Sequence, residues 1–249
     1  MEVHHHPHVE KKSFKEYILE GLMIFLAVSM GFIAENIRES ITDSAKEREY
    51  IASMLKELRA DSIQLSEVFK DTSRLAKLDS LSIFLLSKDE SQQTIKNVYR
   101  LISSAVSYEA MTFNRNTLTQ LKSGGNMRLI KKQDVVDSLN KLDNLITNLN
   151  TQLDAYLKTL FENSRERFSI LDFSYYVENG RRIKRDALLN STKTLSYLTN
   201  DKKKVIEFGG QIYSQRGTLV VYYRMLKQYA TYSNILIGFL QKEYHIKHE

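Results

Sequence analysis

The chain has 249 residues, with 36 Lys and Arg against 30 Asp and Glu for a net charge of +6, no cysteine and a single proline. The missing cysteine excludes a disulfide scaffold, thiolate metal sites and thiol catalysis. Pro7 and only nine glycines leave residues 8–249 without the strongest helix breaker, which favours an all-α body large enough for one proper core.

Residues 1–16 form a His- and Lys-rich leader. His4, His5, His6 and His8 are weak metal candidates, because neutral imidazoles ligate zinc, copper and nickel. A lipid-surface or solvated tail is the simpler reading, so no metal and no cofactor is assigned. Residues 17–37 follow as a transmembrane helix. The uncharged run 21–34 is apolar around its whole circumference apart from Ser29, so it lacks the polar face of an interfacial helix. Fourteen residues reach only about 21 Å of a ~30 Å hydrocarbon core, so Tyr17, Ile18, Leu19 and Ile37 must be recruited. Glu20 and Glu35 then fall at the membrane edges. Ala27, Gly31 and Ala34 make a small-residue face at i, i+4 and i+7 where another helix can approach closely. Cleavage after Ser29 would leave a poor signal-peptide core, so an uncleaved signal anchor is favoured over a signal peptide. Three lysines before the span (Lys11, Lys12, Lys15) match three cations after it (Arg38, Lys46, Arg48), a tie under the positive-inside rule. The short leader then favours a cytoplasmic N-terminus and a periplasmic bundle, with the opposite orientation open.

Residues 38–249 are expected to form one helical domain, and the span is expected to continue into it as a rigid stalk. Ile51, Leu55, Leu58, Ser62, Leu65, Phe69 and Thr72 alternate steps of four and three, and residues 75–86 extend that apolar face. The polar stretch 87–91 breaks it. A second helix with Ile95, Val98, Ile102 and Ala105 inward is expected to run to about Lys122, where Gly124 and Gly125 make the turn, at least one with positive φ. Arg128 just after it is expected to cap helix carbonyls or to contact a partner. The next helix carries the strongest rhythm: Val135, Leu139, Leu142, Ile146, Leu149, Leu153, Tyr156 and Leu160. Glu178-Asn179-Gly180 reads as a turn before a short helix over 182–197, and a last helix buries Leu219, Tyr222, Leu226, Tyr229, Ser233, Leu236 and Leu240. The whole predicts an N-terminal transmembrane helix continuing into an elongated up-and-down bundle of about four long helices with coiled-coil character.

No HExxH, phosphate loop, GxSxG or CxxC pattern is present, so an enzyme is disfavoured. Most cations are interleaved with carboxylates, as on solvated helix faces. The local exceptions are Arg181, Arg182, Lys184 and Arg185, then Lys202, Lys203 and Lys204. For these a solvated surface is preferred, an anionic membrane surface comes second, and nucleic acid comes last.

The opening MEVHHHPHVEKKSFKEYILEGLMIFLAVSMGFIAENIRE resembles a family of uncharacterised small membrane proteins of Bacteroidota. That family shares a His-rich leader and a short span ending Ala-Glu-Asn-Ile-Arg-Glu. The segment from Thr117 through Leu121-Lys122-Ser123-Gly124-Gly125-Asn126-Met127-Arg128 to Ile130 is similar to a turn of the same family. The resemblance implies a single-pass inner-membrane protein, and it supplies no catalytic residue. The expected role is an interaction or accessory subunit of an envelope complex, partnered by the lipid bilayer and by a protein or a second copy through the membrane helix. The alternatives are an extracytoplasmic ligand-binding sensor, or an ion-coupled stator-like subunit using Glu20 or Glu35.

Overall fold

The computed structural model describes residues 13–70, 73–108 and 110–246, and their fold is all-α. The chain divides into two compact units, Met1–Tyr50 and Ile51–Glu249. Helix α1 spans Phe14–Lys70.

In the first unit the apolar run lies bare. Met23, Ile24, Phe25, Met30 and Phe32 are each at least 63% exposed, and none of the most apolar window is buried. A core helix of a soluble protein buries such a stretch, so this segment is one helix long and apolar enough to cross a membrane. His4, His5, His6 and His8 lie outside the described residues.

The second unit is an up-and-down bundle in which three members are regular and the fourth is broken. The first member is the 51–70 part of α1 followed by α2 (Ser73–Leu86), and it runs antiparallel to the last helix, α7 (Lys202–Tyr244). Pairs march in opposite directions along it: Tyr229 with Asp61 at 2.6 Å, Arg216 with Asp79 at 2.9 Å. Gly209 lets these helices close up, since a Cβ there would lie 2.9 Å from the Leu85 side chain. Helix α5 (Gln133–Ile170) is also antiparallel to α7, with Lys132 to Glu243 at 2.7 Å, Tyr232 Oη donating to Ser138 O at 2.9 Å and Gln152 donating to Thr218 O at 3.0 Å.

The core follows the rhythm read from the sequence in α5 and α7. Val135, Leu139, Leu142, Ile146, Leu149, Tyr156 and Leu160 are 0–1% exposed, as are Leu219, Tyr222, Leu226, Tyr229 and Leu240. Each such side chain contributes roughly 1.5–3 kcal/mol of burial, so these two faces hold the bundle together. Leu153 is only half-buried. In α1 the register rotates: Ile51, Leu55, Leu58 and Leu65 are buried as expected, but Asp61 and Val68 point inward where Ser62 and Phe69 were expected. Thr72 lies outside the described residues.

The predicted continuous second helix is not formed. Helix α3 (Gln92–Leu101) starts at Ser91, whose hydroxyl accepts from Thr94 N, and ends in a 3-10 turn over Ile102–Ala105. Residues 106–115 are irregular among the described positions, and α4 occupies only Asn116–Ser123. The physical reason is competition for the backbone. Gln215 Nε2 donates to Ala105 O at 2.8 Å, Asn114 N donates to Asp61 at 3.1 Å, and Thr117 N donates to Glu57 at 3.0 Å. Side chains from α1 and α7 thus satisfy groups that a helix would otherwise pair internally. Ile95, Val98, Ile102 and Ala105 still face the core, at 0–4% exposed.

The turn after α4 comes where the sequence puts it. Gly125 has φ +65°, while Gly124 is right-handed at φ −82°. The short helix expected over 182–197 shrinks to α6 (Arg185–Leu189), and a small antiparallel hairpin, β1 (Val177–Glu178) with β2 (Arg181–Arg182), precedes it. Residues 190–200 cross the bundle end without helix, because Gln92 takes both backbone groups of Leu195 and Leu198 N donates to Ile170 O.

Candidate functional site

Helices α5 and α7 are antiparallel neighbours that a few residues could join, yet residues 171–201 lie between them. The usual link between neighbouring antiparallel helices is only a few residues long. This one is built. Asp172 caps a 3-10 turn over Phe173–Tyr176 by accepting from Ser174 N at 2.9 Å. The hairpin turn uses Asn179 and Gly180, both with positive φ (50° and 72°), as a two-residue primed turn requires. It sets Arg182 opposite Val177. Buried Leu188 fastens α6, which carries Arg185 and Asp186. Tyr99 of α3 holds the start of the connection: its hydroxyl accepts from Asp172 N and donates to Ser196 O, each at 2.9 Å. Burial pushes that hydroxyl's pKa well up, so it stays protonated.

Between this connection, α3 and the end of α5 lies a cavity of about 590 Å³, within the usual range of small-molecule sites. It sits at the end of the bundle opposite Ile51, since α5 and α7 pair antiparallel. Its walls are of two kinds. Phe168, Phe173 and Tyr176 form an aromatic face, with ring centroids 4.9 and 5.9 Å apart in succession and the second pair stacked at 23°. Arg167, Arg182 and Arg185 supply three guanidiniums against one carboxylate, Asp186.

The cations differ in how they are held. Arg185 donates to Ser103 Oγ at 2.7 Å and lies 3.7 Å from Asp186. Arg167 packs over Phe168 and Phe173, its Cζ 4.7 and 5.5 Å from the ring centroids, and its Nε is buried with no hydrogen-bond partner. Burial lowers its pKa without discharging it. Among the described residues no carboxylate pairs with Arg167 or Arg182. Burial raises the pKa of the Tyr176 hydroxyl, a shift that Arg185, Arg167 and Arg182 oppose, so it remains a donor near neutrality. The arrangement can seat a negatively charged group among guanidiniums with an apolar or flat body against the rings.

The sequence singled out Arg182 and Arg185 as part of a local basic cluster, and the structure brings them to this cavity together with Arg167 and the aromatic wall. Arg167 went unnoticed because it lies in a mixed-charge stretch of α5, and only folding brings it beside Arg182. The other predicted residues stand apart. Glu35 accepts from Arg38 in a two-pronged pair at 2.9 and 2.5 Å, Glu20 is exposed, and Ala27, Gly31 and Ala34 are uncovered on α1. Nothing lies within 4 Å of a Cβ built on Gly31. Arg128 is exposed in the 3-10 turn Asn126–Leu129, and none of the described carbonyls accepts from it, so it is not the expected helix cap. Among the described residues no group of three or more His, Asp or Glu side chains is placed to hold a metal.

Compared with known protein families, curated proteins and solved structures, the chain matches none.

Proposed function

We propose that this chain is a single-pass, membrane-anchored helical bundle that works by binding rather than by catalysis, as an interaction or accessory subunit of a bacterial envelope complex. The observation that carries the reading is the wholly uncovered apolar stretch of α1, which water does not tolerate and a bilayer accommodates. Residues 17–37 act as an uncleaved anchor, with a cytoplasmic leader and a periplasmic bundle of coiled-coil character. Ala27, Gly31 and Ala34 offer a face for a second membrane helix, of a partner or another copy. The resemblance of the N-terminal text to a Bacteroidota membrane family supports the same placement.

The ligand-binding sensor is favoured as a second reading by one observation, the arginine-lined cavity beneath residues 171–201. The stator-like reading draws less support, because Glu35 is engaged by Arg38.

Fractionation tests the anchor. The full chain should stay with membranes through alkaline carbonate extraction, and deletion of residues 1–37 should release a soluble protein that keeps a helical far-UV spectrum. Folded, truncated protein that still pellets with membranes overturns the assignment. A periplasmic reporter fused after Glu249 should be active, and activity of a cytoplasmic reporter alone would reverse the orientation.

A further inference from the structure

Resting on the ligand-binding reading, we infer that the cavity between α5, α3 and residues 171–201 is a site for a small aromatic anion, a planar ring carrying a carboxylate or phosphate group. Three features of the site converge on that chemistry. Its volume of about 590 Å³ takes a single small molecule. The aromatic side offers flat apolar surface: Phe168 and Phe173 meet at 47° and Phe173 and Tyr176 stack at 23°, with the Arg167 guanidinium over the first two rings. The charged side is unbalanced, with three guanidiniums, one carboxylate and a buried Arg167 Nε that has no partner.

A buried guanidinium donor without an acceptor costs stability, and a bound oxyanion removes that cost by accepting from it. The neutral Tyr176 hydroxyl adds a donor to the lining. Arg185 is already tied to Ser103 and Asp186, so Arg167 and Arg182 are the groups left to grip the anion. Long acyl chains fit less well, because stacked rings reward a flat partner. A polyanionic nucleic acid needs an extended basic track, and here the cations converge on one pocket.

The test uses the full chain in lipid nanodiscs, with equilibrium dialysis against four probes and empty nanodiscs as the blank. The probes are 2-naphthoate, 2-naphthyl phosphate, the neutral isostere 2-naphthalenemethanol, and inorganic phosphate. At least one naphthyl anion should bind about tenfold or more tighter than both the neutral ring and the bare phosphate. The preference between carboxylate and phosphate identifies the head group. Arg167→Met and Arg182→Met should each weaken that anion about tenfold while leaving the neutral ring unchanged, with thermal midpoints recorded to show that both variants are folded. Equal binding of the anion and the neutral ring overturns the anionic class while keeping a ligand site. Binding that appears only with vesicles rich in phosphatidylglycerol, and is lost in the same variants, replaces the small anion by a lipid surface. No binding of any probe or vesicle overturns the ligand-binding reading itself.

Discussion

Polar side chains gather at two places in the bundle, its middle and its end beneath residues 171–201, and the chain satisfies them differently. In the middle, Asp61 is fully buried and accepts from Asn114 N, Asn114 Nδ2 at 2.6 Å and Tyr229 Oη at 2.6 Å. Fully buried Gln215 donates to Ala105 O and accepts from Asn163. At the end, Arg167 Nε has no acceptor and Arg182 has no carboxylate. The rest of the bundle also holds buried polar atoms without a hydrogen-bond partner, the Tyr156 and Ser233 hydroxyls and single guanidinium nitrogens of Arg59, Arg115 and Arg216, but none of these lines the cavity, whereas Arg167 Nε does. The first cluster is architecture, because it ties backbone groups of the broken fourth member, Asn114 N and Ala105 O, to α1 and α7. The second lines a cavity, and the anion proposed for it would supply the acceptor that Arg167 Nε lacks.

The sharpest way to break the comparison is to empty the middle. Asp61→Ala leaves the Tyr229 hydroxyl and both Asn114 donors without their acceptor in a dry interior. It should cost on the order of 3–5 kcal/mol. For a domain of this size that is a fall of about 10 °C or more in the thermal midpoint by far-UV circular dichroism. Asp61→Asn keeps the shape and part of the bonding, so it should cost less. A midpoint shift under 2 °C for the alanine variant would show that residues 106–115 are held by other forces, and the distinction between the two clusters would go.

That cluster also marks where the sequence stops being readable. The faces of α5 and α7 are legible because aliphatic and tyrosine side chains repeat at steps of three and four, and burial is what that period encodes. In α1 the same rule works to Leu58 and then slips, since it selects Ser62 over a carboxylate for the inside. Asp61 faces inward only because Asn114 and Tyr229, 53 and 168 positions away, supply its donors. No local pattern contains that pairing. The break at 106–115 fails for the same reason: no proline or glycine marks it, and its cause lies in Glu57, Asp61 and Gln215. The site is half legible. Arg181, Arg182, Lys184 and Arg185 stand out as a basic cluster, and Asn179-Gly180 announces the turn, but Arg167 and Tyr99 join them only through tertiary packing.

A smaller effect separates a satisfied charge cluster from both extremes. Asp143 is paired with Lys122 at 2.5 Å and with Arg115, joining α5 to α4. Burial alone would raise its pKa, but the bonds from Lys122 and Arg115 outweigh that and hold it below the ordinary carboxylate value. A depressed folded pKa means that its stabilisation is present above the unfolded value of about 3.9 and is lost as pH falls through the folded one. Wild type should therefore exceed Asp143→Asn by about 1 kcal/mol at pH 7, a modest figure because both cations are partly solvated. The gap should close below about pH 4. Urea titrations at pH 7, 5 and 3.5 measure it, and a gap that widens on acidification would reverse the sign.

The smallest expected effect is the most discriminating. If the end cluster were structural, removing Arg167 would cost stability as removing Asp61 does. Its guanidinium instead carries a buried Nε with no acceptor, a desolvation cost that Arg167→Met abolishes. Against this stands the loss of its position over Phe168 and Phe173, worth about 0.5–1 kcal/mol, part of which the methionine stem recovers by packing on the same rings. The two terms nearly cancel, so the thermal midpoint of Arg167→Met should lie within about 2 °C of wild type, the shift of about 0.5–1 kcal/mol in a chain this size. Arg182→Met, exposed on β2, should move it still less. A fall of 5 °C or more in either variant would assign the arginines to the fold, because a residue kept for a ligand can be removed from the empty protein at little cost.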